Sequence, residues 1–143
     1  MLIDYSPFQK AVSQLEKSLS FYNSEMAEEN DDLKEQFRAA VIQAFEYTYE
    51  LGVKMMKRQL GEIVANPSEL KEMNFMDLVR LAYEAGLVQN VSSMKLYREM
   101  RNLTSHTYDE DKAREILSVT GTFVEDMHFI LSELKKRNPV DNG

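Results

Sequence analysis

The feature that most constrains the fold is the stretch 32–60, where apolar side chains recur every three or four residues without a proline. An α-helix turns once in about 3.6 residues, so this spacing places those side chains on one face of a single long helix. Such a helix is stable only if other elements cover its apolar face. We expect the following residues to point inward, with Phe45 and Tyr49 beside them: Leu33, Phe37, Ala40, Val41, Ala44, Thr48, Leu51, Met55 and Gln59.

The same spacing predicts a first helix over 7–27. Ser6 is the expected cap, and Pro7 suits the first helical position because it has no amide hydrogen to satisfy. An acidic turn over 28–32 separates this helix from the long one. The predicted apolar stripe of the first helix comprises Phe8, Val12, Leu15, Leu19, Tyr22 and Met26.

Three more helices follow from capping signals and apolar spacing. Asn74 is the expected cap of a short helix, which Gly86 ends in the left-handed conformation that glycine adopts easily. Ser92 or Ser93 is expected to cap a fourth helix, and Asp109 a fifth. The predicted inward residues are Leu78, Leu81, Ala82, Ala85, Met94, Tyr97, Met100, Ile116, Val119, Phe123, Met127, Ile130 and Leu134.

These segments predict an all-α fold, an antiparallel up-and-down helical bundle of four main helices plus a shorter one. No segment shows the alternating pattern of a strand. We expect a single bundle domain over residues 1–143. Gly52 and Gly121 lie inside predicted helices, where close approach of a neighbouring helix would explain a glycine.

Composition narrows the classes of function. The chain has no cysteine, which excludes disulfides and thiolate metal sites. Its net charge of -7 disfavours non-specific attraction to nucleic acid. Because it lacks a signal-peptide pattern and an apolar run of about 20 residues, we expect a cytoplasmic protein with no membrane span.

One segment reverses the sign of the charge. Lys95, Arg98 and Arg101 bring three cations within seven residues that hold one acid. The planar guanidinium of Arg101 can hold two phosphate oxygens at once. His106 lies beyond a full helical turn, so it meets Arg101 only if the helix bends or ends between them. The run of poor helix formers over 102–105 makes such a bend plausible.

A histidine beside a phosphate-binding arginine can act as general base on a ribose hydroxyl or as general acid on a leaving oxygen. That chemistry needs no metal, and neither histidine has a partner at metal-ligand spacing, so we expect no metal and no cofactor. Simpler interpretations exist for each residue taken alone. Arg101 could pair with Glu99 or with an acid on another helix, His106 could cap a helix end, and Tyr108 could pack at a helix junction.

The joint spacing carries a resemblance. Arginine, four residues, histidine, one residue and tyrosine is the pattern of the run Arg101-Asn102-Leu103-Thr104-Ser105-His106-Thr107-Tyr108. This run resembles the signature of the HEPN superfamily. The order of helices and the segments 43–51 and 84–88 are similar, more narrowly, to nucleotidyltransferase substrate-binding proteins, also called HepT-type toxins, which are encoded beside minimal nucleotidyltransferases.

The resemblance implies a homodimer in which two copies of the motif meet across a two-fold axis, and a separate small nucleotidyltransferase chain as partner. In toxin members Arg101 and His106 would carry a metal-independent ribonuclease activity. The partner would silence it by transferring adenylate to Tyr108. We expect contacts to nucleotide or RNA from Arg98, Asn102 and Ser105.

Three functions therefore remain open at this stage. The first is a partner subunit that binds nucleotide or presents an acceptor group to the nucleotidyltransferase, as the toxin half of a toxin–antitoxin pair. The second is an active ribonuclease that is silenced through Tyr108. The third is a non-catalytic helical adaptor, for which no substitution in the motif would have an effect.

Overall fold

The structure, a computed structural model, describes residues 2–139, and regular structure in that range is helical. The predicted all-α antiparallel bundle is confirmed: α1, α3, α6 and α7 are the main helices and α5 is the shorter one. None of the helices within this range is both long and apolar enough to cross a bilayer. The elements are α1 Ser6–Tyr22, α2 Glu25–Glu29, α3 Asp31–Gly61, α4 Glu69–Glu72, α5 Phe75–Glu84, α6 Val91–Leu103, a 3₁₀ turn Thr104–His106, and α7 Glu110–Arg137.

An aromatic cluster joins α3, α6 and α7 at the centre of the core. The ring of Phe123 lies 4.5 Å from that of Phe45 and 5.0 Å, edge to face, from that of Tyr97. All three side chains are fully buried. The hydroxyl of Tyr97 donates a hydrogen bond to Asp126. The pKa of Tyr97 is raised mainly by burial and, to a smaller extent, by this hydrogen bond. The cluster fixes α6, and with it the position of the segment that follows α6.

The predicted inward faces are largely confirmed. Val41 and Met55 of α3 are buried as expected. Phe45, expected only beside the apolar face, is one of the most deeply buried residues. Ala40, also expected to point inward, is exposed, so that prediction is wrong. Of the two neighbours Ala40 and Val41, only Val41 faces the core. Val119 of α7 is only partly buried.

Both ends of the first helix differ from the prediction. Ser6 is the first residue of α1 and not its cap, which is Tyr5. The hydroxyl and the amide of Ser6 both donate to the carboxylate of Asp4, and within residues 2–139 no side chain caps the start of the helix. The helix ends at Tyr22 and not at residue 27. Ser24 begins a separate short helix by accepting a hydrogen bond from the amide of Ala27 at 3.3 Å.

The later caps follow the sequence with one correction. Asn74 caps α5 and Asp109 caps α7, each through its side-chain oxygen, as predicted. The cap of α6 is Asn90, and not Ser92 or Ser93. The Asn90 side chain accepts the amide hydrogen of Ser93 at 3.0 Å, so the helix begins earlier than either serine would set it.

The two glycines inside long helices differ in their surroundings. A Cβ at Gly52 would lie 3.1 Å from the sulfur of Met127 and 3.3 Å from the ring of Phe8. The predicted close approach of neighbouring helices is therefore confirmed at Gly52. A Cβ at Gly121 would meet nothing within 4 Å, so the same prediction is wrong there.

Two glycine substitutions are expected to change stability in opposite directions. Gly86 has φ +79°, where a Cβ is strained, and the added atom would lie 3.2 Å from Nη2 of Arg137. We expect Gly86→Ala to lower the free energy of unfolding by about 1–2 kcal/mol. Gly121→Ala, in open space on α7, should raise it by about 1 kcal/mol. Urea unfolding of both variants measures the two changes, and a stabilised Gly86→Ala would contradict the assignment of a strained glycine cap.

Candidate functional site

The candidate site lies where α6 ends and the chain turns toward α7. The hydroxyl of Thr104 donates to the carbonyl oxygen of Arg101 at 2.7 Å, and that of Ser105 donates to the carbonyl of Asn102 at 3.4 Å. Hydroxyls that bond back to the preceding turn compete with the helical hydrogen bonds. The α-helix accordingly ends at Leu103 and tightens into the 3₁₀ turn. The predicted break between Arg101 and His106 is confirmed.

Arg101 is held by two acids of α3. Its Nη2 lies 2.7 Å from Oε1 of Glu50 and 3.3 Å from Oε1 of Glu46, and its Nε donates to Glu50 at 3.2 Å. The hydrogen bond to Glu50, the largest influence, raises the pKa of Arg101 above its ordinary value. Arg101 therefore pairs with acids on another helix, as one of the alternatives predicted, and it does not pair with Glu99 of its own helix.

His106 and Tyr108 stand together in solvent. The two rings meet edge to face with centroids 6.0 Å apart, and the Tyr108 hydroxyl lies 3.4 Å from Nδ1 of His106. The imidazole is exposed, and Tyr108 is 83% exposed. The alternative in which Tyr108 packs at a helix junction is therefore wrong, and its hydroxyl is open to a reaction partner.

Arg101 and His106 lie in consecutive turns of the chain but make separate contacts. Within residues 2–139, no hydrogen bond or ring contact joins the two side chains. The guanidinium is directed to Glu50 on α3, while the imidazole contacts Tyr108. A phosphate that reaches Arg101 must compete with the carboxylate of Glu50.

The other predicted contact residues separate into two places. Asn102 and Ser105 are exposed beside the turn. Arg98 faces α5, with its guanidinium carbon 4.8 Å from the centre of the Phe75 ring. Tyr49 of α3 lies near Arg98; burial raises the Tyr49 pKa to about 12, although the positive charges of Arg98 and Arg101 act to lower it. Among residues 2–139, no three His, Asp or Glu side chains converge to form a metal site.

Comparisons with known proteins identify the family of this chain. The family model for nucleotidyltransferase substrate binding protein like sequences matches residues 3–136. The chain belongs to this family. It is 42% identical over 103 residues to the probable ribonuclease HepT of Haemophilus influenzae, covering 72% of this chain and 70% of that protein. The resemblance found from the motif and the order of helices is thereby confirmed.

A solved structure supports the same assignment. A Haemophilus influenzae protein, reported as showing the fold of a substrate binding domain of a nucleotidyltransferase, superposes with a TM-score of 0.88. The match has 32% sequence identity and covers 92% of this chain and 99% of that one. The helices of this member of the nucleotidyltransferase substrate-binding family therefore follow the arrangement of a solved relative.

Sequence reasoning did not find three residues that surround the motif in this family member. Glu46 and Glu50 are one helical turn apart on α3, so they share a face and can together hold one cation. That spacing was visible in the sequence, whereas the identity of the cation depends on how α3 and α6 pack. Tyr49 was assigned to the core, and its position beside Arg98 follows from the same packing.

Proposed function

We propose that this chain is the partner subunit of a separate small nucleotidyltransferase and presents the Tyr108 hydroxyl to it as an acceptor of adenylate. The exposure of Tyr108 carries the proposal, because a transferase can reach only a hydroxyl that projects from the surface. Family membership supports the choice of partner. The segment that holds Tyr108 is short and is bounded by the 3₁₀ turn and by the cap of α7, so the backbone of Tyr108 is held in one place.

The transfer is a substitution at phosphorus. The phenolic oxygen of Tyr108 attacks the α-phosphorus of ATP, an oxygen–phosphorus bond forms, and the bond to pyrophosphate breaks. The phenolic proton must leave during the attack. His106 can accept it, since its Nδ1 lies 3.4 Å from the phenolic oxygen. The product is a tyrosine phosphodiester of adenosine, with pyrophosphate as the leaving group.

Incubation with the small nucleotidyltransferase that we propose as partner tests the proposal. With ATP and magnesium, we expect the intact mass of the chain to increase by one adenylyl group, and the two proteins to elute together on size exclusion. Omission of ATP is the control for the mass change. If the transferase hydrolyses ATP, or transfers adenylate to another acceptor, while the mass of this chain stays unchanged, the proposed acceptor role is wrong.

We propose a second function, metal-independent RNA cleavage, on a separate observation. The imidazole of His106 is open to solvent, and it is separated from Arg101 along the chain by the end of α6 and the 3₁₀ turn. In this function His106 takes a proton from a ribose 2′-hydroxyl, and the 2′-oxygen attacks the adjacent phosphorus while Arg101 holds the phosphate oxygens. The bond from phosphorus to the 5′-oxygen breaks, and this oxygen leaves with a proton from the imidazolium or from water, so that the products are a 2′,3′-cyclic phosphate and a free 5′-hydroxyl. The similarity to a protein named as a probable ribonuclease supports this function.

The ribonuclease proposal requires two further events. Arg101 must exchange the carboxylate of Glu50 for a phosphate, and the substrate must also reach His106, which faces away toward Tyr108. A homodimer that brings two motifs together across a two-fold axis would enlarge the surface available to RNA. Adenylate on Tyr108 would then place a phosphate and a nucleoside directly against His106 and block it. In this scheme the chain is the toxin and the transferase is its antitoxin.

A further inference from the structure

A cleft between α3, α5 and α6 is not used by the proposed functions. Its volume is about 410 Å³, and its polar lining consists of Tyr49, Lys57, Asn74 and Arg98. Ligand pockets in proteins have volumes of about 300–1,000 Å³, so the cleft has room for one small molecule. Tyr49, which lines the cleft, is near enough to Arg101 for that positive charge to act on its pKa, so the cleft lies close to the motif.

The charge of this cleft is opposite to that of the chain. Lys57 projects from α3 and Arg98 from α6, so two cations line one cavity in a protein of net charge -7. Within residues 2–139, neither of them forms a salt bridge, whereas Arg101 is engaged by Glu46 and Glu50. The Lys57 and Arg98 charges are therefore available to an anion without displacement of a carboxylate.

Two aromatic residues complete the cleft. The Phe75 ring supports the guanidinium of Arg98 at 4.8 Å, which limits the orientations that this arginine can adopt. The Tyr49 hydroxyl has no hydrogen-bond partner in the described part of the chain and is not sealed from solvent. It is protonated at neutral pH, as tyrosine ordinarily is, and burial raises its pKa further, to about 12. The cleft thus offers a neutral hydroxyl donor beside two cationic donors.

We propose that this cleft binds a mononucleotide, whose phosphate accepts hydrogen bonds from Lys57, Arg98 and the Tyr49 hydroxyl. An ammonium and a guanidinium together match the charge of a phosphate dianion. The apolar part of the wall, which includes Val53 and Met73, can cover a sugar or a base. The volume of about 410 Å³ suits one nucleotide. The proposal deepens the proposed function by giving the subunit a nucleotide site of its own, and it rests on that function only for the choice of adenine.

Calorimetry with AMP tests the proposal. We expect the parent to bind AMP, and Lys57→Met or Arg98→Met to weaken binding at least about tenfold, because each loses a charged hydrogen bond. Both side chains are exposed, so the variants should fold, and an unchanged Tm confirms this. Lys54→Met is the matched control, since Lys54 is exposed on α3 one turn earlier and does not line the cleft. It should bind AMP as the parent does.

Four results would overturn the proposal. The first is no binding of AMP by the parent at millimolar concentration, and the second is binding by both variants as tight as that of the parent. In either case the cleft is not the site. The third is binding of adenosine as tight as that of AMP, which would show that the phosphate makes no contribution to binding. A single-stranded oligonucleotide that displaces AMP and binds more tightly would make the cleft part of an RNA path. Tyr108→Phe should leave AMP binding unchanged, which separates failure of this site from failure of the acceptor role.

Discussion

His106→Ala is expected to reduce RNA cleavage by at least about a hundredfold, because it removes the only group in the motif that can move a proton at neutral pH. Arg101→Ala should reduce it to a similar extent, since the phosphate loses its bidentate donor. The measurement is the cleavage rate of a labelled RNA by the purified chain in the presence of a chelator.

The chain provides a matched control for each substitution. His128 is the second histidine, and it pairs with Glu16 at 2.5 Å on a different face of the bundle. Arg114 is exposed and pairs with Glu110 and Asp111 at the start of α7. His128→Ala and Arg114→Ala should cleave as the parent does. If His106→Ala also keeps the parent rate, the imidazole has no catalytic role.

Phe123→Ala is expected to lower the free energy of unfolding by about 3–5 kcal/mol, the usual cost of removing a large buried ring and leaving a cavity. The ring is fully buried between those of Phe45 and Tyr97, so three helices lose contacts at once. Phe21→Ala is the control: its ring is 41% exposed, and the one ring it stacks on within residues 2–139 is that of Phe37, at 5.4 Å.

Equilibrium unfolding in urea measures both changes. The control should lose about 1 kcal/mol, which is the order of an aromatic pair at the surface. A loss at Phe123 as small as that of the control would mean that the aromatic cluster does not hold α3, α6 and α7 together. The position of the motif at the end of α6 would then need another explanation.

The helices could be predicted because their signals are local. The side chains of Asn74 and Asp109 each accept a hydrogen bond from a backbone amide two or three residues later, so these caps can be predicted without tertiary information. The same holds for Gly86, whose positive φ ends α5. Apolar spacing identified the buried face of each long helix, because burial in a bundle repeats with the helical turn.

The errors occur where two local signals compete. Asn90, Ser92 and Ser93 can all cap a helix, and the structure selects the asparagine, whose side chain reaches the amide of Ser93. Similarly, Ser24 interrupts an apolar stripe that continues to Met26. A hydroxyl bond to a backbone amide decided that boundary, and hydrophobic spacing alone does not report it.

The chemistry of the site was predictable in part. The types and spacing of Arg101, His106 and Tyr108 indicated the motif, and the residues after Arg101 indicated the bend. The partner of Arg101 could not be predicted, because Glu50 lies 51 positions earlier and only the packing of α3 against α6 brings them together. The direction in which Arg98 points depends in the same way on α5.

Peptide mass spectrometry after incubation with the nucleotidyltransferase and ATP is the decisive experiment for the acceptor role of Tyr108, because it identifies which hydroxyl receives the adenylyl group. The chain has seven tyrosines, and Tyr47 and Tyr83 are also more than half exposed, so they serve as internal controls. We expect the adenylyl group on Tyr108 alone, and we expect the Tyr108→Phe variant to stay unmodified. An adenylyl group on Tyr47 or Tyr83, or one that persists in Tyr108→Phe, would contradict it.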